Sequence, residues 1–489
     1  MTNQRSIRFA TLVSAAVLVA AAARAKDDEG KGKKWVASWI TAPQGTFAGV
    51  SQPIDPANPS GPRMLTPRLV NLAFPFDPNS TTPPQANNQT LRMIVKPDVW
   101  GDTMRVRLSN YYGTGPVTFN HVTIGLQSYS GATVAGTNTT LTFNGQKSVT
   151  VPAGQRVTSD EVKLHWVNGD EGGDGDDGVS SAVDGRNLAI SIYIAGRSGP
   201  MTSHGNALVE SFLAGPGTGD HTMDTLDTAF PYETSSWFFV DGVEVKMPAD
   251  TRVLVGAGSS SVDGSITTPG NNDRFLNWMS RRLHAAYGQH VSVVNAGIGG
   301  DVAAIPNTTM TPNADTCAPN PDPTKAQSRP LREVLAERFQ RDVLDTAGIT
   351  DVVFYAGTND FGDNIPSCQS IAALTNMVGR LHSRGIKAIG GTLISNVFQR
   401  GTTTATYQAH DDINQFILKS GVFDSTADFY GATIDPNNVV GGFPVLRADY
   451  QIHSDPDGTP DFLHLGRNGA QAEANTLDLK FFAPSKRDR

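Results

Sequence analysis

The run Gly256-Ala257-Gly258-Ser259-Ser260-Ser261-Val262-Asp263-Gly264 is made almost wholly of small residues. Small side chains let a backbone turn sharply where larger ones collide, and a serine on such a turn stands clear of the strand that leads into it. Its hydroxyl becomes a nucleophile only when a base takes its proton. Alone, the run fits a phosphate-binding loop or a plain turn equally well. A base is offered late in the chain, where Asp461-Phe462-Leu463-His464 sets a carboxylate three residues ahead of an imidazole. One tight turn at that separation lets Asp461 fix the ring tautomer and stabilise its cation while His464 accepts the serine proton. The same pattern is also common in structural turns. Two further glycine-rich segments, NAGIGGD from Asn295 and AGTND from Ala356, supply a backbone N–H at Gly300 and a side-chain amide at Asn359. Both are suited to hold a developing oxyanion.

A different chemistry is open at the same end of the chain. His453, Asp455, Asp457, Asp461 and His464 offer nitrogen and oxygen donors for a metal-assisted hydrolysis. Pro456 and Gly458 read instead as a turn, and no second cluster completes such a site, so neither metal nor cofactor is expected. The acidic stretch from Asn168, NGDEGGDGDDG, lacks the spacing of a calcium-binding loop and reads as a solvated hairpin.

These candidates need a scaffold. After Pro248 the segments TRVLVGAG, VSVVNAG, DVVFYAG and IKAIGGTL are short apolar runs, as parallel strands covered on both faces require. Helical patterns alternate with them: Asp273 opens DRFLNWMSRRL, and Ser370 opens a helix that Gly385 closes. Strand and helix in alternation predict a doubly wound α/β sheet, with ligands beyond the carboxyl ends of the strands, where the motifs fall. Before Pro248 the pattern is of alternating segments such as TMRVRLSN, VTFNHVTIGL and NLAISIYIAG, punctuated by Gly, Pro and Asn, which predicts an antiparallel β-sandwich.

The four motifs, in this order, resemble the blocks of the GDSL/SGNH hydrolase superfamily over roughly residues 251–480. The resemblance implies a flavodoxin-like α/β hydrolase domain, a nucleophile at Ser260, oxyanion donors at Gly300, Asn359 and the Ser260 N–H, and a base at His464 oriented by Asp461. The chain departs from the family at Ser259, where an aspartate is usual, while Asp263-Gly264 matches the block's end. The N-terminal half, through WVASWITAP, NQTLRMIV, RVRLSNYYG and SSWFFVDGVEV, resembles the β-rich domain of one branch of that superfamily, whose members are similar to acyl-hydrolases and arylesterases of polysaccharide breakdown. A small ester or an acylated carbohydrate is the substrate this implies. An inactive carbohydrate-binding relative is the alternative that the change at Ser259 leaves open.

A length of 489 residues is more than one ordinary core accommodates, and a net charge of -8 opposes general binding to nucleic acid or anionic membranes. Arg5 and Arg8, the apolar stretch Phe9 to Ala23 and the small-residue pattern ending at Ala25 read as a secretory signal, which implies an extracellular or periplasmic location with no membrane segment after cleavage. The expected organisation is therefore a signal over 1–25, a charged linker over 26–34, a β domain over 35–249 and a hydrolase domain over 250–483. The two cysteines fit one disulfide or two buried thiols. Cys317 lies in a Pro- and Asn-rich segment after the Gly300 motif, and Cys368 follows the Asn359 motif at the same sheet edge. A bridge between them would close a loop of about fifty residues, worth ~4 kcal/mol.

Overall fold

The computed structural model describes residues 32–45, 85–167, 183–265, 267–304, 333–361, 365–395, 404–440, 442–453 and 460–483, without the side chains at 404, 405, 440, 453 and 460–462. The expected signal, residues 26–31 of the expected linker and Cys317 lie outside these residues, while Lys33 and Lys34 of that linker open the first strand.

The first half is antiparallel. Strands β1 (Lys33–Ile40), β2 (Asn87–Val95), β3 (Thr103–Asn110), β4 (His121–Leu126), β5 (Leu188–Arg197), β6 (Thr202–His204) and β7 (Val240–Pro248) carry most of it. One sheet is centred on β7 between β1 and β3, and a second on β5 between β2 and β4. Alternation decides the faces of β5: Leu188, Ile190, Ile192 and Ile194 enter the main core, while Ala189 joins Ile94 and Phe212 in a smaller cluster behind the sheet.

The second half is an α/β fold. Its elements are β8 (Arg252–Gly258), α1 (Ser260–Asp263), α2 (Phe275–Tyr287), β9 (Val291–Gly297), α3 (Leu335–Phe339), β10 (Asp351–Tyr355), α4 (Ser367–His382), β11 (Lys387–Gly391), α5 (Thr404–Lys419), β12 (Ser425–Ala427), β13 (Pro460–Leu465) and α6 (Arg467–Asn475). The parallel sheet runs β9-β8-β10-β11-β12. Val253, Leu254, Val255 and Ala257 of β8 have no exposed surface, as a central strand covered on both faces demands. Helix α2 packs on α6, while α3, α4 and α5 pack in series, the two groups a doubly wound sheet needs. The strand order reverses at β8, so the crevice between the ends of β8 and its neighbours is the place where ligands bind in such sheets.

Three elements differ from the sequence reading. Helix α2 starts at Phe275 because Arg274 is its N-cap, its N–H held by Asn277 Oδ1 at 3.2 Å, rather than Asp273. Helix α4 starts at Ser367, and the Ser370 hydroxyl does not cap it but donates to Asp360 at 2.6 Å. Residues 460–465 form a strand paired with 451–453, not a tight turn.

The halves share one continuous core. The Ser292 hydroxyl of β9 donates to the Ala37 carbonyl at 2.7 Å, and Ala37 N–H to the Ala347 carbonyl at 2.9 Å. Beside this seam Asp241 of β7 binds Arg107 at 2.7 Å and Arg156 at 2.6 Å, and Arg156 also donates to the Arg341 carbonyl at 2.9 Å. Burial alone would raise the Asp342 carboxyl, yet Arg341, Arg338 and Arg156 together hold it below its usual range.

Candidate active site

Strand β8 reaches Gly258 opposite Gly297 of β9 and Tyr355 of β10. Only glycine fits at two of these strand ends: a Cβ on Gly258 would strike the Tyr355 carbonyl, and one on Gly297 the Asp263 nitrogen. Two, three and four residues past these matched ends stand Ser260, Gly300 and Asn359, so the sheet delivers all three to one edge.

Ser260 opens α1, with Ser259 buried at the N-cap position and its side chain making no cap bond. The turn is tied by main-chain bonds, from Val262 and Asp263 N–H to the Ser259 carbonyl and from Gly264 and Ser265 N–H to that of Ser260. The backbone here therefore does not call for an aspartate at 259. Asp263 closes the helix and joins three parts of the protein. One of its carboxylate oxygens accepts Gly299 N–H at 2.8 Å, and the other meets His204 Nε2 at 3.1 Å. His204 belongs to β6 of the first half, and its Nδ1 is 2.9 Å from the Ala42 carbonyl. Gly300 follows with φ at +73°, a left-handed conformation that suits glycine.

Asn359 is buried, and its amide donates to the Asp301 carbonyl at 2.8 Å, which fixes the amide plane next to Gly300. Asp360, also buried, accepts Ala303 N–H at 2.9 Å, Ala304 N–H at 3.3 Å and the Ser370 hydroxyl at 2.6 Å. Beneath them lies Arg338 of α3, with no exposed surface. It donates to the Gly258 carbonyl at 3.1 Å, the Ala296 carbonyl at 2.7 Å and the Asp301 carboxylate at 2.8 Å, and pairs with Asp342 at 3.4 Å. One guanidinium thus ties the ends of β8 and β9 to the residue that orients Asn359.

Helix α1 packs against β13, which carries His464, and Ser260 and Leu465 line one small cavity. The strand of His464 thus lies against the helix that Ser260 opens, although no hydrogen bond joins the hydroxyl to the ring. Such contacts commonly tighten only when substrate binds. The cavity offers about 20 Å³, room for one water molecule. Arg274, Phe275 and Glu473 also line it. Glu473 of α6 is buried and accepts the Tyr355 hydroxyl at 2.9 Å. Burial pushes its carboxyl up to about 8, with the Tyr355 bond opposing. Burial likewise drives the Tyr355 phenol far above its usual range.

Of the residues that sequence reading named, the sheet brings Ser260, Gly300 and Asn359 to one edge, and the strand of His464 packs on α1. That reading missed Arg338, Asp360, His204 and Glu473. Asp360 had a signal, standing next to Asn359; the other three are distant in sequence from every motif. The Asp461 side chain lies outside the described residues, as do Asp455, Asp457 and the His453 side chain. Among the described residues no group of three or more His, Cys, Asp or Glu is placed to hold a metal. Cys368 lies in the first turn of α4, and its expected partner Cys317 is outside the described residues.

Residues 257–472 match the model of the GDSL-like Lipase/Acylhydrolase family. No curated protein matches the chain. Among solved structures, a lipase/acylhydrolase from Enterococcus faecalis is similar at 17% identity, over 48% of this chain and 99% of that one, with a TM-score of 0.33. An acetyl xylan esterase from Geobacillus stearothermophilus is similar at 16% identity, over 46% and 92%, with a TM-score of 0.31. A GDSL-like lipase from Bacteroides thetaiotaomicron is similar at 16% identity, over 46% and 85%, with a TM-score of 0.30. These likenesses accompany the family match and add no weight to it. Residues 257–472 of this chain form a domain of the GDSL-like lipase/acylhydrolase family.

Proposed function

We propose that the protein is a secreted serine esterase that removes short acyl groups, O-acetyl groups on carbohydrate among them, through an acyl-enzyme. The observation that carries this reading is the delivery of Ser260, Gly300 and Asn359 to one sheet edge, against the strand bearing His464. Ser260 Oγ attacks the ester carbonyl as its proton passes to His464, with Asp461 steadying the ring. The Ser260 and Gly300 N–H groups and the Asn359 amide hold the oxyanion. The carbon–oxygen bond to the alcohol then breaks, and the alcohol leaves with the proton from His464. Water repeats the sequence: its oxygen bonds to the acyl carbon, its proton goes to His464, and Ser260 leaves with that proton as the acid is released.

The narrow space beside Ser260 supports a short acyl group rather than a long chain. Secretion rests on the N-terminal pattern from Arg5 to Ala25, and the carbohydrate preference on the character of the β-rich half. The test is hydrolysis of p-nitrophenyl esters of increasing chain length beside a panel of acetylated sugars. Ser260→Ala is expected to lower turnover by about four orders of magnitude or more, the scale seen when a serine nucleophile is removed. Asn359→Ala is expected to lower it by about a hundred- to a thousandfold. Parent-like turnover in Ser260→Ala would end the reading, and a preference for long chains would end the short-acyl part of it.

A further inference from the structure

Glu473 is the one carboxyl among the described residues lining the cavity beside Ser260, and it comes from a helix that bears none of the motif residues. Its Oε1 accepts the Tyr355 hydroxyl at 2.9 Å. Tyr355 also stands opposite Gly258 at the end of β8, two residues before the nucleophile. Ser261 is the residue after the nucleophile, and Ile394 and Leu465 stand with Ser260 around the same space. Tyr355, itself the last residue of β10, therefore links α6 to the strand end from which the nucleophile turn departs.

We propose that Glu473 is a positioning residue of the catalytic centre: it anchors Tyr355, which stands beside the strand end that presents Ser260. The proposal rests on the reading of Ser260 as nucleophile. The side chain works in its uncharged form, because Ser260 lines the same cavity and negative charge develops on the acyl oxygen when Ser260 attacks. A carboxylate here would oppose that charge in a site where little water screens it. Burial favours the neutral form.

The surroundings bear this out. Arg274 faces the cavity but spends its guanidinium on the carbonyls of Asp263, at 2.6 Å, and Ala207, at 2.8 Å. Arg282 on α2 binds the carbonyls of Ala474 and Leu477. Arg281, His284 and Tyr287 on α2, Tyr430 in the helix Phe429–Thr433, Asp449 and Tyr450 in the turn 448–450, His464 on β13 and Arg467 on α6 complete the described titratable groups of the packed elements. Of all these and Tyr355, only Tyr355 acts on the Glu473 carboxyl.

The sign follows directly. The active form carries the proton, so turnover is full below pH 8 and falls as pH rises through about 8. One unit higher, about a tenth of the molecules keep the proton. The measurement is kcat against pH from 6 to 10 for a short-chain ester, corrected for spontaneous hydrolysis, in the parent, Glu473→Gln and Tyr355→Phe. In the parent the ratio of kcat at pH 9 to kcat at pH 7 is expected near 0.1, and in Glu473→Gln near 1, because the amide cannot ionise. Tyr355→Phe removes the bond that favours the carboxylate and is expected to move the fall to higher pH. Difference infrared spectra of the parent between pH 6 and 10 are expected to show one buried carboxyl losing its proton, absent from Glu473→Gln. An identical alkaline fall in parent and Glu473→Gln, or no fall in the parent below pH 10, would overturn the proposal while leaving Ser260 as nucleophile untouched. Parent-like activity in Ser260→Ala would instead remove the reading on which it stands. Should Glu473→Gln not fold, an unmoved profile in Tyr355→Phe overturns the proposal by itself.

Discussion

Each half of the molecule has an arginine with no exposed surface, Arg92 in the β half and Arg338 in the hydrolase half, and the two hold different things. Arg92 donates to the Ser191 hydroxyl at 2.9 Å and to the carbonyls of Gly131 at 2.5 Å, His221 at 3.2 Å and Asp224 at 2.7 Å. It lies 4.0 Å from the Phe230 ring. All these partners are neutral, and burial lowers its guanidinium to about 10, with Asp224 and Asp227 opposing. Arg338 instead meets two carboxylates, Asp301 and Asp342, besides the strand-end carbonyls. Both residues solve the same problem, satisfying carbonyls that burial would otherwise leave unpaired. The difference is position in the chain. Arg92 fastens loops that carry none of the candidate catalytic residues, whereas Arg338 fastens the strand ends from which Ser260 and Gly300 project and Asp301, which orients Asn359.

Replacing both arginines by methionine is the strongest way to break that comparison. Arg338→Met leaves Asp301 and Asp342 without their shared cation in a buried site, a loss of about 3–5 kcal/mol in stability. It also frees the Asp301 loop, so kcat per folded molecule is expected to fall by at least about a hundredfold, the scale of losing one oxyanion donor, with KM little changed. Arg338→Lys keeps the charge but not the fork, and is expected to recover stability more than turnover. Arg92→Met leaves several carbonyls unpaired at roughly 1–3 kcal/mol each, with kcat and KM per folded molecule unchanged. Thermal melting and steady-state kinetics on the same preparations separate the two effects. Equal losses of turnover in the two methionine variants would show that the halves are not distinct in this respect.

The contrast also explains what could be read from the sequence. The strands and the motif residues were legible because their signals are local: apolar runs ending in glycine, and Ser260, Gly300 and Asn359 each within four residues of a strand end. Arg338 was not, since RF within LAERF is an unremarkable helical pair and, Asp342 apart, its partners lie 37 to 80 positions away. His204 and Glu473 are of the same kind, polar residues whose burial is decided by tertiary packing. The Ser370 hydroxyl misled for the opposite reason: a capping residue was expected from local pattern, but Asp360 offered it a better partner. The tight turn expected at Asp461 failed because residues 460–465 found a neighbouring segment to pair with.

His204 gives the finest test, because it is where the β half touches the candidate site. In His204→Phe the ring keeps its place beside Trp237, 5.6 Å away between centres, while Asp263 and the Ala42 carbonyl lose their partner. Asp263 retains Gly299 N–H, so its hold on the loop before Gly300 is weakened rather than released. One hydrogen bond of this kind is worth about 1 kcal/mol, which corresponds to roughly a fivefold loss of kcat. A loss as large as that of Arg338→Met would mean that the β half is as much a part of the catalytic framework as α3. No loss at all would mean that the second half orients Asp263 alone, and that the first half meets the site without acting on it.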